Sequence, residues 1–581
     1  MKNIRNIKIK SLIISGVIGT SLFFSACDDF LDEKEIPRIT NEYYRTSQGV
    51  EAAATAAYGY LRFGVSGDYA SQLLEMGNDI ITGASGGVGS AYNIYDNNLS
   101  PSRYYTNHLW ENHYKGINTA NLVIQEVPNG DLSDDAKTAA IAEMKFMRAF
   151  FYFELVQQFG KIPLVEEASS EVRTEFKRAP VEDIYKLIIS DLRYAAENLR
   201  ETASASDGNF GKATRYSAAH LLSKAYLTRC SAVTEERGQR PTDADSALYY
   251  AKMVIDSDKY ELLSNFADLW KPDNQRNKEV VFAVQFTEEA VYNGSGNLSH
   301  LYWNSNYDGI AGLTRDLENG RAYGFHRATN RTMFELFDRK NDSRFHKSFK
   351  WVRYANVAVS GRNPINIGDT AMYYSLKPKP ADLKANYVYV AWDKDDVTKN
   401  NLYFPPLIKY MDPNRASVNE TKGTRDWVRM RLGETYLLAA EAAGRKGDFE
   451  TAAFYINELR KRAAWHAGED KNPKYWTEEG GVYGDKSDTY EHIKVSASDI
   501  SSNFVDFILD ERGRELLGEH TRWTDLVRCE KLYEYIKERG YNLEAARNIK
   551  PFHKLRPIPQ VHIDRLNPRG PIEEEQNEGY Y

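Results

Sequence analysis

The chain has 581 residues, enough to bury a large core, and carries 75 Lys and Arg against 82 Asp and Glu, a formal net charge of −7. Both signs are interspersed, so no basic tail or Lys/Arg block marks a nucleic-acid partner. Mean hydropathy is −0.59, and the three cysteines are too few for a disulfide framework in a chain of this size.

The N-terminus opens with a basic stretch, Lys2, Arg5, Lys8 and Lys10, followed by an apolar run of fourteen residues from Ser11 to Phe24. A membrane-spanning helix needs about 20 apolar residues, so this pattern predicts a secretory signal. Phe24-Ser25-Ala26-Cys27 resembles a bacterial lipobox, with Phe24 where Leu is usual. The expected layout is a signal peptide over 1–26, then a lipidated Cys27 and an acidic tether over 27–41. A lipid anchor attaches the body to a membrane without embedding it. An ordinary signal peptide with an incidental cysteine is the blander reading, and the position of Cys27 at the end of the apolar run argues against it.

The body from 42 to 581 reads as one mostly α-helical domain. In residues 136–159, Ala142, Phe146, Ala149, Phe153 and Val156 recur at spacings of 4, 3, 4 and 3 on one helix face. Met144, Met147, Phe151 and Leu155 form a second apolar face, which predicts burial between neighbours. Gly160 and Pro163 end that helix. Pro180 starts another through 199, and 213–229, 243–256 and 427–464 supply more. Within the last, Gly447 suits a left-handed helix stop and Asp448 a cap, as in the turn of a tetratricopeptide-like pair. No strict 34-residue period appears, so helical pairs are expected rather than a regular solenoid. Residues 502–537 read as a further pair. Cys230 and Cys529 fall in helical stretches and read as free thiols, with a bridge between them left open.

Two segments interrupt the helices. Residues 64–108 are rich in Gly, Ser, Asn and Tyr, and residues 271–425 mix strand-like "EVVFAVQF" and "YVYVAW" with turns. Long loops in compact domains are functional or disordered, and the aromatic content here argues against disorder. The chain holds 39 Tyr, 25 Phe and 9 Trp. Tyrosine joins an apolar face to a polar tip and suits a wet, adhesive surface. A sugar site wants aromatic platforms beside Asn, Asp and Arg. The first segment offers Tyr92, Tyr95, Asn97, Asn98, Arg103, Tyr104 and Tyr105, and the second Tyr302, Trp303, Tyr307, Arg321, Tyr323 and Phe325. Taken singly, each aromatic is about twice as often a core residue as a platform.

Catalytic patterns do not assemble. Gly83-Ala84-Ser85-Gly86-Gly87 has the spelling of a nucleophile elbow without the following helix, and reads as a flexible glycine loop. There is no Walker sequence and no H-E-x-x-H. His108 and His113 are poorly spaced for one metal on a helix face. Glu434 with Glu441, and Glu511 with Glu515, could serve a glycosidase, but Arg429, Arg431, Arg512 and Arg514 beside them predict structural ion pairs. Asp393, Asp395 and Asp396 lack the glycine and terminal Glu of an EF-hand. They read as a solvated turn that leaves a weak calcium site open, and no other cofactor is expected.

Several ordered motifs make the chain resemble the SusD/RagB family of outer-membrane nutrient-binding lipoproteins. They are "CDDFLDEKE" at the mature start, "WENHYKGINTANLVI" (110–124) and "AEMKFMRAFFYFELVQQFGKIPLV" (142–165), which includes Arg148 and Ala149. "ATRYSAAHLLSKAYL", "AEAAGRKGDFETAAFYINELRKRA" and "ILDERGRELLGEHTRWTDLVR" follow, and the chain ends with "LRPIPQVHIDRLNP" and "EEQNEGYY". The resemblance implies tetratricopeptide-like helical pairs and a non-catalytic protein at the cell surface. It implies an oligosaccharide ligand, less often a peptide, and a SusC-like TonB-dependent transporter as partner. Site residues vary with the ligand in such a family, so none is carried over. Arg148 is assigned to folding and partner docking. A surface glycosidase and a helical scaffold without small ligand are the competing readings.

Overall fold

The computed structural model describes residues 41–581 apart from 67–69, 170–171, 203–209, 472 and 540. The signal peptide, Cys27 and the tether up to residue 40 lie outside the described residues. Eight helices form the scaffold: α1 (Ser47–Tyr60), α2 (Tyr104–Glu126), α3 (Asp134–Phe159), α4 (Val181–Asn198), α5 (Arg215–Ser231), α6 (Asp243–Ile255), α7 (Leu432–Arg445) and α8 (Phe449–Ala463). Each packs on the one before it in the chain. This holds even for α6 and α7, although all of 256–431 lies between them. The second loop-rich segment therefore grows out of the middle of a helical pair. Two shorter helices close the stack: α9 (Phe504–Glu515) packs on α7, and α10 (Arg522–Arg528) on α3 and α5.

The local chemistry of α3 explains its length and burial. Ser133 caps it by accepting from the Ala136 amide, Asp134 and Asp135 sit in its first turn, and Gly160 ends it at φ +67°. Both apolar faces expected from the spacing are buried, because α2 covers one flank and α4 the other. Arg148 is buried among all three. Its Nε and Nη2 donate to the Asp191 carboxylate at 2.7 and 2.9 Å, and its Nη1 to Asn121 Oδ1 at 2.8 Å. The α7–α8 turn is as expected: Gly447 has φ +82°, and Asp448 accepts from the Thr451 amide.

Short strands act as seams: β1 (Ile81–Gly83), β2 (Ile162–Pro163), β3 (Arg178–Ala179), β4 (Val280–Val284), β5 (His326–Ala328), β6 (Val352–Tyr354), β7 (Thr370–Ser375), β8 (Val388–Ala391) and β9 (Trp427–Arg431). β2 pairs with β3. β6, β7 and β8 make a small sheet within the lobe that residues 256–431 form, antiparallel then parallel. β4 pairs antiparallel with β9, Val284 opposite Trp427 and Val280 opposite Arg431, and so clasps the two ends of the lobe. This corrects the reading of 427–431 as helical: the run of Trp, Val and Met supports a strand where a partner is at hand. It also splits the expected pair over 502–537 into α9, α10 and a third helix, Leu532–Arg539. Gly518, His520 and Glu530 take positive φ at the breaks. The first loop-rich segment ends at residue 103, since Tyr104 and Tyr105 already belong to α2.

A buried lattice of arginines and carboxylates fastens the lobe to the scaffold. Arg344 of the lobe pairs with Asp342, Glu511 and Glu515 at 2.7, 2.9 and 2.9 Å. Arg431 pairs with Glu279, Glu515 and Glu519 at 3.0, 2.7 and 2.8 Å. Glu434 is held by Lys224, His220 and Arg512, and Glu441 by Arg528 and Arg445. Burial pushes the Glu511 carboxyl up, but Arg460, Arg514 and Arg344 overrule it and hold it well below the usual range. Burial likewise opposes ionisation of Glu434, and Lys224, His220 and Arg512 prevail. These four glutamates are structural ion-pair members, as their arginine neighbours predict. Cys230 and Cys529 are free thiols, Cys529 buried.

Candidate ligand-binding surface

The two loop-rich segments meet along one seam. β1 pairs antiparallel with β5, Gly83 opposite His326. Beyond it the Ala84 amide donates to Phe325 O and the Gly86 amide to Gly324 O, each at 2.9 Å, and the Ser85 amide to Asn401 O at 3.1 Å. The glycines are required by closeness. A Cβ on Gly83 would stand 2.3 Å from Gly87 O, and one on Gly87 2.6 Å from Phe325 O. The strip 83–88 is thus a docking edge between segments, which corrects its reading as a flexible loop.

Most of the aromatics picked from the sequence lie beneath this seam as pillars. Tyr92, Tyr95, Tyr302, Trp303 and Tyr307 are each at most 2% exposed, and Phe325 is buried. They cannot form an exposed platform. Three of the hydroxyls are spent inward: Tyr92 bonds Thr106 at 2.9 Å, Tyr95 donates to Gly77 O and Tyr307 to Gly320 O. Burial lifts the Tyr95 and Tyr307 hydroxyls to about 12. Trp303 packs on His326 at 4.7 Å, and the Arg353 guanidinium lies 4.2 Å over the Tyr307 ring. Large aromatics give more by filling a core than by facing water.

What remains at the surface is a shelf on top of the pillars. Tyr323 is partly exposed, with the Arg321 guanidinium 5.3 Å from its ring centre. Arg321 Nη1 donates to Asn419 O at 2.9 Å, and Arg315 to Asn419 Oδ1 at 2.9 Å. Asp308 pairs with Arg315 at 2.6 Å. The Asn306 amide donates to Leu402 O, and the amide of exposed Ser85 donates to Asn401 O, next to exposed Leu402. Such a shelf offers one ring face, apolar flanks, and donors and acceptors held at fixed positions. Of the residues picked from the sequence, Arg321 and Tyr323 are partly exposed there. Ser85, Asn306, Asp308, Arg315, Leu402 and Asn419 were not singled out as site residues, and of these only Ser85 sits in a marked sequence pattern, the close glycine spacing at 83–89.

The other expected residues lie elsewhere. Asn97 and Asn98 are exposed in a turn in which Asn98 bonds the Asp96 carboxylate. Arg103 and Tyr104 stand at the start of α2. His108 stacks on Tyr104 at 4.2 Å, while His113 is buried against Glu154 at 2.6 Å. Asp393 accepts from the Asp395 and Asp396 amides and from Lys399. Among the described residues no group of three or more His, Cys, Asp or Glu is arranged to hold a metal ion, and no helix is long and apolar enough to cross a membrane.

The fold defines a class of mostly helical proteins whose paired-helix scaffold carries a loop-rich lobe between two of its helices. Residues 262–580 match the model of the SusD family, and residues 29–227 match a model described as starch-binding, associating with the outer membrane. The chain belongs to the SusD family. It is 25% identical to SusD-like protein P25 of Formosa agariphila over 99% of this chain and all of that protein. It is 29% identical to the starch-binding protein SusD of Bacteroides thetaiotaomicron over 55% of this chain and 57% of that one. A laminarin-binding SusD-like protein has the same fold at a TM-score of 0.65, with 21% identity, covering 92% of this chain and all of the other.

Proposed function

We propose that this protein captures an oligo- or polysaccharide at the cell surface and passes it to a SusC-like TonB-dependent transporter, without catalysis. The shelf carries the reading. Both loop-rich segments contribute backbone to it, and it sets Tyr323 and Arg321 beside fixed amides and hydroxyls. Sugar rings present C–H faces to aromatics and hydroxyls to such groups. The starch- and laminarin-binding relatives support the ligand class. A non-catalytic role is supported by Glu434, Glu441, Glu511 and Glu515, which are buried and consumed by arginines. Lipid on Cys27 and the acidic residues after it would hold the protein on the outer face of the outer membrane.

Titration calorimetry against a polysaccharide panel that includes starch and laminarin tests the proposal. At least one glycan should bind, and Tyr323→Ala should weaken it about tenfold or more, the scale of losing one stacked aromatic contact. Binding of peptides with no glycan bound, or release of reducing sugar by the purified protein, would overturn it.

A further inference from the structure

A cavity lies on the scaffold and shares no residue with the shelf. It runs along α2 between Pro163, Val165, Ser169, Arg173 and Phe176 on one side and residues 559–565 on the other, with a volume of about 750 Å³. Small-molecule sites span roughly 300–1,000 Å³. Its wall is aromatic: Tyr104 is 62% exposed and stacks on His108, Trp110 packs on His562 at 4.8 Å, and Phe176 lies 6.3 Å from His562. Its charge is lopsided. Glu111 is already paired with Lys115 at 2.7 Å. Arg173 and Arg565 are exposed, and among the described residues neither guanidinium has a carboxylate within ion-pair distance. Arg173 lies 5.7 Å from the Phe176 ring centre. Asn107 Oδ1 is buried on this wall without a hydrogen-bond partner.

We infer that this groove is a second saccharide site, selective for a carboxylated, uronate-containing oligosaccharide. Ring faces take the C–H faces of the sugar, the exposed guanidiniums of Arg173 and Arg565 pair bidentately with its carboxylates, and Asn107 Oδ1 accepts a hydroxyl. His562 adds no charge at neutral pH: burial first, then Arg178 and Arg565, push its imidazole down to about 4. The inference stands apart from the shelf, so either site can fail alone.

The test is calorimetry of the full chain with galacturonate, glucuronate and mannuronate oligosaccharides and their methyl esters. At least one uronate should bind, and its ester should bind about tenfold weaker or worse, as expected for losing charge-assisted hydrogen bonds. Arg173→Ala combined with Arg565→Ala should bring a similar loss with an unchanged melting temperature, since both side chains are exposed, and Tyr104→Ala should weaken binding independently. Absence of binding by all three uronates, equal affinity for the ester, or an unaffected double variant would overturn the inference. Equal binding of polyglutamate would also overturn it, in favour of an acidic-peptide site.

Discussion

Glu75 sits in the core with one carboxyl oxygen accepting from the His520 amide at 2.8 Å and the other without a partner. Burial lifts this carboxyl from its ordinary 4.5 to about 8. A raised carboxyl favours the fold most when both states are protonated. Its contribution is full below about pH 4.5 and drains away as pH climbs through about 8, because only the unfolded chain can ionise freely. Glu75→Gln mimics the protonated form. It should match the wild type near pH 4 and exceed it at pH 8 by an amount on the order of 1–3 kcal/mol, read from urea unfolding at both pH values. Arg344 presents the opposite case. Arg344→Met would leave Asp342, Glu511 and Glu515 short of a buried cation. Breaking a buried ion pair from one side costs about 3–5 kcal/mol, so a large drop in urea midpoint is expected.

At the scale of elements, the seam between β1 and β5 governs the shelf. Gly83→Ala would force its methyl into Gly87 O and distort the 83–88 strip that docks on the lobe. Overpacking of this kind costs about 1–3 kcal/mol, and because Gly86 anchors Gly324 beside Tyr323, glycan affinity should fall along with stability. Calorimetry and unfolding on the same variant measure both. The elements were unequally legible. Helix α3 could be read from Ala142, Phe146, Ala149 and Phe153, because helical burial leaves a local period. The strand Trp427–Arg431 could not, because its partner Val280–Val284 is far away in sequence. The shelf was half legible. Composition picked Tyr323 and Arg321, which are partly exposed, together with Tyr302, Trp303 and Tyr307, which are buried, since a tyrosine in a loop reads the same whether it faces water or holds the loop down.

At the scale of the molecule, the expected anchor at Cys27 separates delivery from recognition. Cys27→Ala should move the protein from the membrane fraction to the soluble fraction of fractionated cells, with glycan affinity of the released protein unchanged. Retention in the membrane fraction would refute lipid anchoring. The packing of α6 on α7, with 256–431 between them and β4 on β9 at the threshold, has an evolutionary consequence. The lobe behaves as a cassette loaded through one doorway, and lengthening it is thermodynamically mild, since doubling a loop adds only about 0.6 kcal/mol of closure entropy. The scaffold can therefore stay fixed while the lobe diverges in length and sequence. The cassette is not self-sufficient, however. Strip 83–88 is its key, cut from a different part of the chain, and an exchange between relatives that swaps the lobe without the strip should yield a folded protein with a broken shelf.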